Sequence, residues 1–180
     1  MIQPKYWPGQ IVAAIHLATT DVFSTMLSML ITGAETQAAK SVGTLPATGL
    51  ISLVGLTGPW VGTGTIACTV DCACKLSSQF LMTDFHEVND EVLDAMAELT
   101  NMIIGNVKNA LETKVGAMGL STPTVICGQG FRTRGALSNE WTGIRFNSGE
   151  HELFVQLCLV PSPESTTNKM RAGFQIPNLN

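Results

Sequence analysis

Apolar residues recur at helical spacing in three stretches of the chain. The first stretch covers residues 11–31, and Gly33 can end that helix. The second predicts a short helix over residues 72–82, which Asp71 can cap. The third is the longest pattern and predicts a helix over residues 88–114.

Apolar runs bounded by turn residues predict the strands. Residues 49–57 and 62–70 lie on either side of Gly58–Val61, where Pro59 fits an early turn position. These two runs therefore predict a hairpin. Further strand candidates follow the long helix, at residues 124–127, 141–146 and 153–160.

The remaining stretches show neither pattern. Residues 34–48 are small and polar and include Pro46, which predicts a loop. Residues 1–10 suit an irregular lead-in, and residues 161–180 are rich in Pro, Ser, Thr and Asn, which is typical of a loosely ordered tail. We expect one domain over residues 1–160, followed by that tail.

The order of these elements indicates the fold class. A helix, a hairpin, two further helices and then three strands describe an α+β domain. We expect a single mainly antiparallel sheet with the helices packed on one face, the long helix among them. At 180 residues, the chain is long enough for one domain with a proper core.

Composition and charge narrow the function classes. Hydrophobic residues make up 45% of the chain and charged residues 13%, which is typical of an ordered globular protein. The net charge of −4 argues against a nucleic-acid partner, because no basic stripe is present to neutralise phosphates. We find neither an apolar run long enough to span a membrane nor a secretory signal. The five cysteines suggest reduced, buried thiols, and so we expect a cytoplasmic protein.

One face of the long helix carries the most informative residues. At 100° per residue, Asp94, Glu98, Asn101 and Gly105 fall within an arc of about 60°, and we call these four residues the polar stripe. The opposite face is apolar and predicts contact with a core. Gly105 is notable because a glycine within a helix costs roughly 1 kcal/mol relative to alanine.

The polar stripe also has plainer explanations. Asp94, Glu98 and Asn101 could form an ordinary solvated helix face, because such faces are common. Gly105 could serve close packing against a neighbouring element, or it could clear space for a partner that approaches the helix. Spacing alone leaves these alternatives open.

Two other patterns are weaker candidates for chemistry. Cys72 and Cys74, with Cys68 nearby, lack the two-residue spacing and the distal pair of a zinc site. His86 and Glu87 start like a zinc-protease motif, but Asp90 stands where its second histidine is required. We therefore predict no metal site in this chain.

The run from Asp94 through Glu98 to Asn101 closely resembles the signature of the CheX/CheC/FliY family of chemotaxis phosphatases. The similarity covers roughly residues 12–160 and includes the turn at Gly58–Gly62 and the entry to a strand at Ser121–Pro123. The chain has a single copy of the motif, and in this it resembles the CheX-like branch of the family, whereas the CheC-like branch has two copies. Between Asn101 and Pro123 lie 21 residues, one fewer than in the family pattern.

The resemblance implies a function and a role for each residue. Members of this family dephosphorylate CheY, so the implied substrate is the aspartyl phosphate of a CheY-like receiver domain, whose Mg²⁺ belongs to the partner. Asn101 would orient the attacking water and Glu98 would bind a lysine of the receiver domain. Asp94 would lie at the rim of the contact, and Pro123 would support the motif. We add that Gly105 would avoid a clash with the partner.

The resemblance also leaves a second function open. A non-catalytic module that binds a receiver domain, or an adaptor of a flagellar or signalling complex, could keep the same motif without hydrolysing anything. The CheX-like branch further implies a homodimer, which the composition itself does not indicate.

Overall fold

The protein is described by a computed structural model, over residues 7–39, 48–129 and 140–163. These residues form three helices and seven strands. The helices are α1 (Trp7–Met26), α2 (Val70–Leu81) and α3 (Asp90–Val115). The strands are β1 (Thr32–Ala39), β2 (Thr48–Thr57), β3 (Trp60–Cys68), β4 (Gly119–Leu120), β5 (Thr124–Gln129), β6 (Trp141–Ser148) and β7 (His151–Pro161).

All seven strands belong to one antiparallel sheet with the order β1-β6-β7-β3-β2-β4, and β5 also pairs with β2. The register places Leu50, Ile66 and Val155 on one face of the sheet, because paired residues point to the same side. These residues belong to the core cluster that also contains the buried residues of all three helices. The predicted α+β fold, with its helices on one face of the sheet, is confirmed.

The predicted hairpin is present as β2 and β3, with a tight turn between Thr57 and Trp60. Gly58 has a φ of 137°, and a Cβ built there would lie 2.7 Å from the carbonyl oxygen of Ala117. Only glycine fits both the positive φ and that close approach. The strands predicted at residues 141–146 and 153–160 are also present, as β6 and β7, and these two strands pair as a second hairpin.

Helix α3 is the predicted long helix, and its ends explain why it begins and stops where it does. The side chain of Asn89 accepts a hydrogen bond from the backbone N–H of Val92, which caps the N-terminus. Asp90 and Glu91 lie in the first turn, where acids interact favourably with the helix dipole. Gly116, with a φ of 88°, follows the last helical residue.

The start of α2 differs from the prediction. Thr69 is the N-cap, since its Oγ1 accepts from the backbone N–H of Cys72 at 3.2 Å, whereas Asp71 lies inside the first turn. The helix therefore begins at Val70 and ends at Leu81, one residue before Met82 in the left-handed conformation. Both Thr and Asp favour the cap position, and the backbone geometry decides between them.

The predicted loop over residues 34–48 is wrong where the structure describes it. Residues up to Ala39 belong to β1, which pairs with β6 through an irregular step between Gly33 and Glu35. The small, polar sequence of β1 has little intrinsic preference for a strand. Its pairing is decided by the outer edge of β6, which offers backbone groups for hydrogen bonding. Residues 40–47 lie outside the described ranges.

Helix α1 starts earlier and ends earlier than its periodicity predicts. It begins at Trp7 and ends at Met26, and Ser28 then adopts a positive φ of 51°. The backbone N–H of Met29 donates to the carbonyl of Phe23 at 3.0 Å, which turns the chain away from the helix axis. The apolar residues beyond Met26 continue the pattern without continuing the helix.

The rest of the predicted lead-in and tail lies outside the described ranges, at residues 1–6 and 164–180. The division into a domain over residues 1–160 and a loosely ordered tail stays a prediction. Among the described helices, none combines the length and the apolar character that a membrane span requires.

Candidate functional site

The polar stripe lies along the side of α3 that faces away from the core. Asp94 and Glu98 are exposed, whereas Asn101 and Gly105 are half-buried. With a rise of about 1.5 Å per residue, the stripe runs for about 16 Å along the helix. The structure therefore brings these four predicted site residues together on one accessible surface.

The opposite face of α3 fixes the orientation of the stripe. It is buried along its whole length, by Val92, Ala95, Met96, Leu99, Thr100, Ile103, Ile104, Val107, Leu111 and Val115. The helix and the sheet approach each other closely at Gly64 in β3, where a built Cβ would lie 2.7 Å from Cγ2 of Ile104. Because Ile104 is fully buried, α3 can neither roll nor shift easily, and the stripe keeps its direction.

Gly105 lies opposite the short strand β4. A Cβ built at Gly105 would meet only one atom within 4 Å, Cδ1 of Leu120, at 3.6 Å. That distance is an ordinary van der Waals contact, so an alanine methyl group would fit there. Close packing against the described residues therefore does not require glycine at this position.

Two further residues continue the same side of α3 towards its C-terminus. Lys108 Nζ donates to Oε1 of Glu112 at 2.7 Å, and the backbone N–H of Met118 donates to the same oxygen, also at 2.7 Å. The bonds from Lys108 and Met118 hold the pKa of the Glu112 carboxyl below its usual value. Glu112 thus links the last turns of α3 to the chain that enters β4.

Pro123 lies between β4 and β5 and is half-buried. The residue that fixes this connection is Ser121, whose backbone N–H donates to the carbonyl of Gly55 at 2.9 Å. Ser121 Oγ also accepts from the backbone N–H of Gly55 at 2.9 Å. The segment that carries Pro123 is therefore attached to the edge of β2, next to the strand that contacts Gly105.

Leu120 and Glu112 are neighbours of the site that the sequence patterns did not predict. Glu112 had a local signal, because it lies four residues after Lys108 and such pairs meet on a helix surface. Leu120 had none, since its position opposite Gly105 depends on the pairing of β4 with β2.

The cysteines lie away from the stripe, around the start of α2. Cys68, Cys72 and Cys74 are buried, as predicted, and so is Cys158, but Cys127 on β5 is exposed. A hydrogen bond between the side chains of Cys68 and Cys72, together with burial, raises the pKa of the Cys68 thiol well above its usual value. No three His, Cys, Asp or Glu side chains in the described part of the chain are arranged to hold a metal ion.

The residue types of the stripe favour positioning chemistry over covalent catalysis. An amide can both donate and accept hydrogen bonds, and it can therefore orient a water molecule. Exposed carboxylates form charge-assisted bonds with cations of a partner. A site of this kind suits a reaction whose reactive groups arrive with the partner.

Comparison with known proteins identifies the family. A family model described as chemotaxis phosphatase CheX matches residues 50–147, which is more than half of the chain and includes α3 with the whole polar stripe. A comparison with curated proteins finds no significant match.

Solved structures share the same architecture. A chemotaxis protein from Desulfovibrio vulgaris Hildenborough is 25% identical, with a TM-score of 0.73, and the match covers 84% of this chain and 97% of that one. CheX from Desulfovibrio desulfuricans is 28% identical, with a TM-score of 0.72, and the match covers 84% and 99%.

A third structure was solved as a complex. It contains CheX from Borrelia burgdorferi with CheY, BeF3 and Mg²⁺, and it shares the fold at 20% identity and a TM-score of 0.69, over 83% of this chain and 97% of that one. Since the family model covers more than half of the sequence, the chain belongs to the CheX family of chemotaxis phosphatases.

Proposed function

We propose that this protein hydrolyses the aspartyl phosphate of a CheY-like receiver domain. One observation supports this most strongly: Glu98 and Asn101 lie side by side on the accessible face of α3, in a chain of the CheX family. The reaction transfers the phosphoryl group from the receiver aspartate to water, which yields the free carboxylate and inorganic phosphate.

Asn101 is the proposed catalytic residue. Hydrolysis of an acyl phosphate requires a water molecule in line with the bond that breaks, and it requires little further chemistry from the phosphatase. The carboxamide of Asn101 can hold that water through its oxygen and its NH₂ group. Because Asn101 is half-buried on a rigid helix, its side chain has fewer orientations to lose when the partner binds.

Glu98 is the proposed anchor for the receiver domain. It lies one turn before Asn101 and is exposed, so it can accept a charge-assisted hydrogen bond from a lysine of the partner. Asp94 extends the acidic surface by one more turn and would contact the rim of the partner. These contacts would set the register in which Asn101 meets the phosphorylated aspartate.

Gly105 and Pro123 have supporting roles in this proposal. The described fold accepts a methyl group at Gly105, so clearance for the partner is the better explanation of a glycine there. Pro123 would stiffen the connection between β4 and β5, which lies beside the stripe, because its ring fixes φ.

The Mg²⁺ of the reaction would arrive with the receiver domain. The Borrelia burgdorferi complex of CheX and CheY contains BeF3 and Mg²⁺, and that composition is consistent with a metal that the receiver supplies. The contribution of this chain is then limited to docking and to the orientation of water.

The direct test is the half-life of a phosphorylated receiver domain, with and without this protein. Wild type should shorten the half-life. Asn101→Ala should lower the accelerated rate of dephosphorylation by roughly 100-fold or more, as expected when a group that acts in the transition state is lost. Asn106→Ala is the matched control, because it makes the same change at an exposed position of the same helix.

The same experiment separates the phosphatase from an adaptor. If the receiver domain binds but its half-life is unchanged, the non-catalytic module becomes the better explanation. If Asn106→Ala and Asn101→Ala lose activity equally, the assignment of Asn101 is wrong.

A further inference from the structure

The segment beside the polar stripe has little sheet pairing of its own. Strand β4 has only two residues, and its register consists of Leu56 with Leu120 and Thr57 with Gly119. Two paired residues are too few to define a stable strand by themselves. Other contacts must therefore set where Leu120 lies relative to Gly105.

Glu112 supplies one of these contacts. Its Oε1 accepts hydrogen bonds from Lys108 Nζ and from the backbone N–H of Met118, each at 2.7 Å. Both distances are typical of charge-assisted hydrogen bonds. Met118 lies two residues before Leu120, so the carboxylate ties α3 directly to the residues that enter β4.

The stability of α3 does not explain an acid at this position. Glu112 lies three residues before the end of the helix, where the helix dipole disfavours a negative charge. The order of the pair, with lysine before glutamate, is also the less favourable one for an i,i+4 pair. The hydrogen bond from the backbone N–H of Met118 is therefore the better explanation of an acid at this position.

We propose that Glu112 is a positioning residue for the phosphatase reaction, and this inference rests on the proposed function. Through Met118 it fixes Leu120 opposite Gly105, one turn from Asn101, and it fixes the start of the connection that Ser121 attaches to Gly55. Leu120 thereby keeps one position opposite Gly105 while the receiver domain is bound.

Two substitutions at this position distinguish positioning from a general loss of structure. Glu112→Ala removes the acceptor, whereas Glu112→Gln keeps an oxygen that can accept from Met118. We expect Glu112→Ala to lower kcat for a phosphorylated receiver domain about tenfold, since small misplacements reduce rates strongly. Glu112→Gln should stay within about twofold of wild type because its amide oxygen restores the bond.

Receiver binding is the control that distinguishes a positioning role from a general loss of structure, which would weaken binding as well. The Kd for the receiver domain loaded with BeF3 and Mg²⁺ should change less than about twofold in both variants, because Glu112 is proposed to act through Met118 and not through a contact with the partner. Thr113→Ala, at the neighbouring exposed position, should leave both kcat and Kd unchanged. Equal losses of kcat in Glu112→Ala and Glu112→Gln would overturn the proposal.

Amide hydrogen exchange tests the same link without any activity. The backbone N–H of Met118 should exchange faster in Glu112→Ala than in wild type, with Glu112→Gln between them. Unchanged exchange at Met118 in Glu112→Ala would overturn the positioning role, whatever the enzyme does. If exchange responds but wild type accelerates no dephosphorylation, the proposed function fails and the positioning role of Glu112 in the reaction fails with it, although the structural link remains.

Discussion

The buried face of α3 and its polar stripe belong to one helix but are constrained in different ways. On the buried face, Ile103 and Ile104 are at most 1% exposed, and the sheet approaches so closely that Gly64 has no room for a methyl group. On the stripe, a methyl group at Gly105 would meet only an ordinary contact at 3.6 Å. The fold therefore dictates the residues of one face and leaves the other face available for a partner.

This difference explains why the stripe contains residues that do not favour a stable helix. A glycine within a helix lowers the stability of that helix, and so do two acids spaced four residues apart, such as Asp94 and Glu98. Residues that the fold does not require are the ones whose presence a binding or catalytic role can explain. Substitutions on the buried face should therefore change folding, and substitutions on the stripe should change function.

The largest effect is expected on the buried face. Ile103→Ala should lower the free energy of unfolding by roughly 2–5 kcal/mol, because it leaves a cavity between α3 and its neighbours. Denaturant unfolding measures this change, and receiver binding should fall only in proportion to the unfolded fraction. A stability close to that of wild type would mean that this face is packed less tightly than described.

The two glycines should respond in opposite directions to the same change. Gly64→Ala should destabilise the protein by about 1–3 kcal/mol, since its methyl group would overlap with Ile104. Gly105→Ala should stabilise α3 by up to about 1 kcal/mol and should weaken receiver binding if the partner approaches here. The same pair of measurements, unfolding and Kd, applies to both, and a destabilised Gly105→Ala would contradict the comparison.

A charge reversal on the stripe should affect binding and spare the fold. Glu98→Lys should weaken receiver binding about tenfold, because a cation would then face the basic group that Glu98 is proposed to contact. Stability should change by no more than about 0.5 kcal/mol, as is usual for exposed positions. Glu87→Lys makes the same change of charge in the exposed segment before α3. An equal loss of binding in that variant would mean that the effect comes from the net charge and not from a contact at Glu98.

The smallest effect concerns pH. The hydrogen bonds from Lys108 and Met118 lower the pKa of the Glu112 carboxyl in the folded protein, so their stabilisation is present above the ordinary pKa of a glutamate and is lost as the pH falls through the lowered folded pKa. The difference in Tm between wild type and Glu112→Gln should therefore be present at about pH 7 and should shrink as the pH falls through the lowered pKa of this carboxyl. A difference that grows on acidification would have the wrong sign for this carboxyl group.

The sequence predicted which residues share a face of α3, because their relation is local. Asp94, Glu98, Asn101 and Gly105 lie on one helix, so their spacing alone places them on one face. The same reasoning assigned the cap of α2 to Asp71, which was wrong: Thr69 is the cap, and both residue types favour that position. It also failed for β1, where the partner strand and not the sequence of the segment decides the conformation.

The sequence by itself determined the α+β class, the long helix with its polar stripe, and the hairpin of β2 and β3. These features follow from hydrophobic periodicity and turn residues, which act over a few positions of the chain. Only the tertiary structure decided that Leu120 lies opposite Gly105 and that Glu112 binds the backbone of Met118. Such contacts depend on which strand edge is free and on how a helix end meets a loop, and no local spacing encodes either.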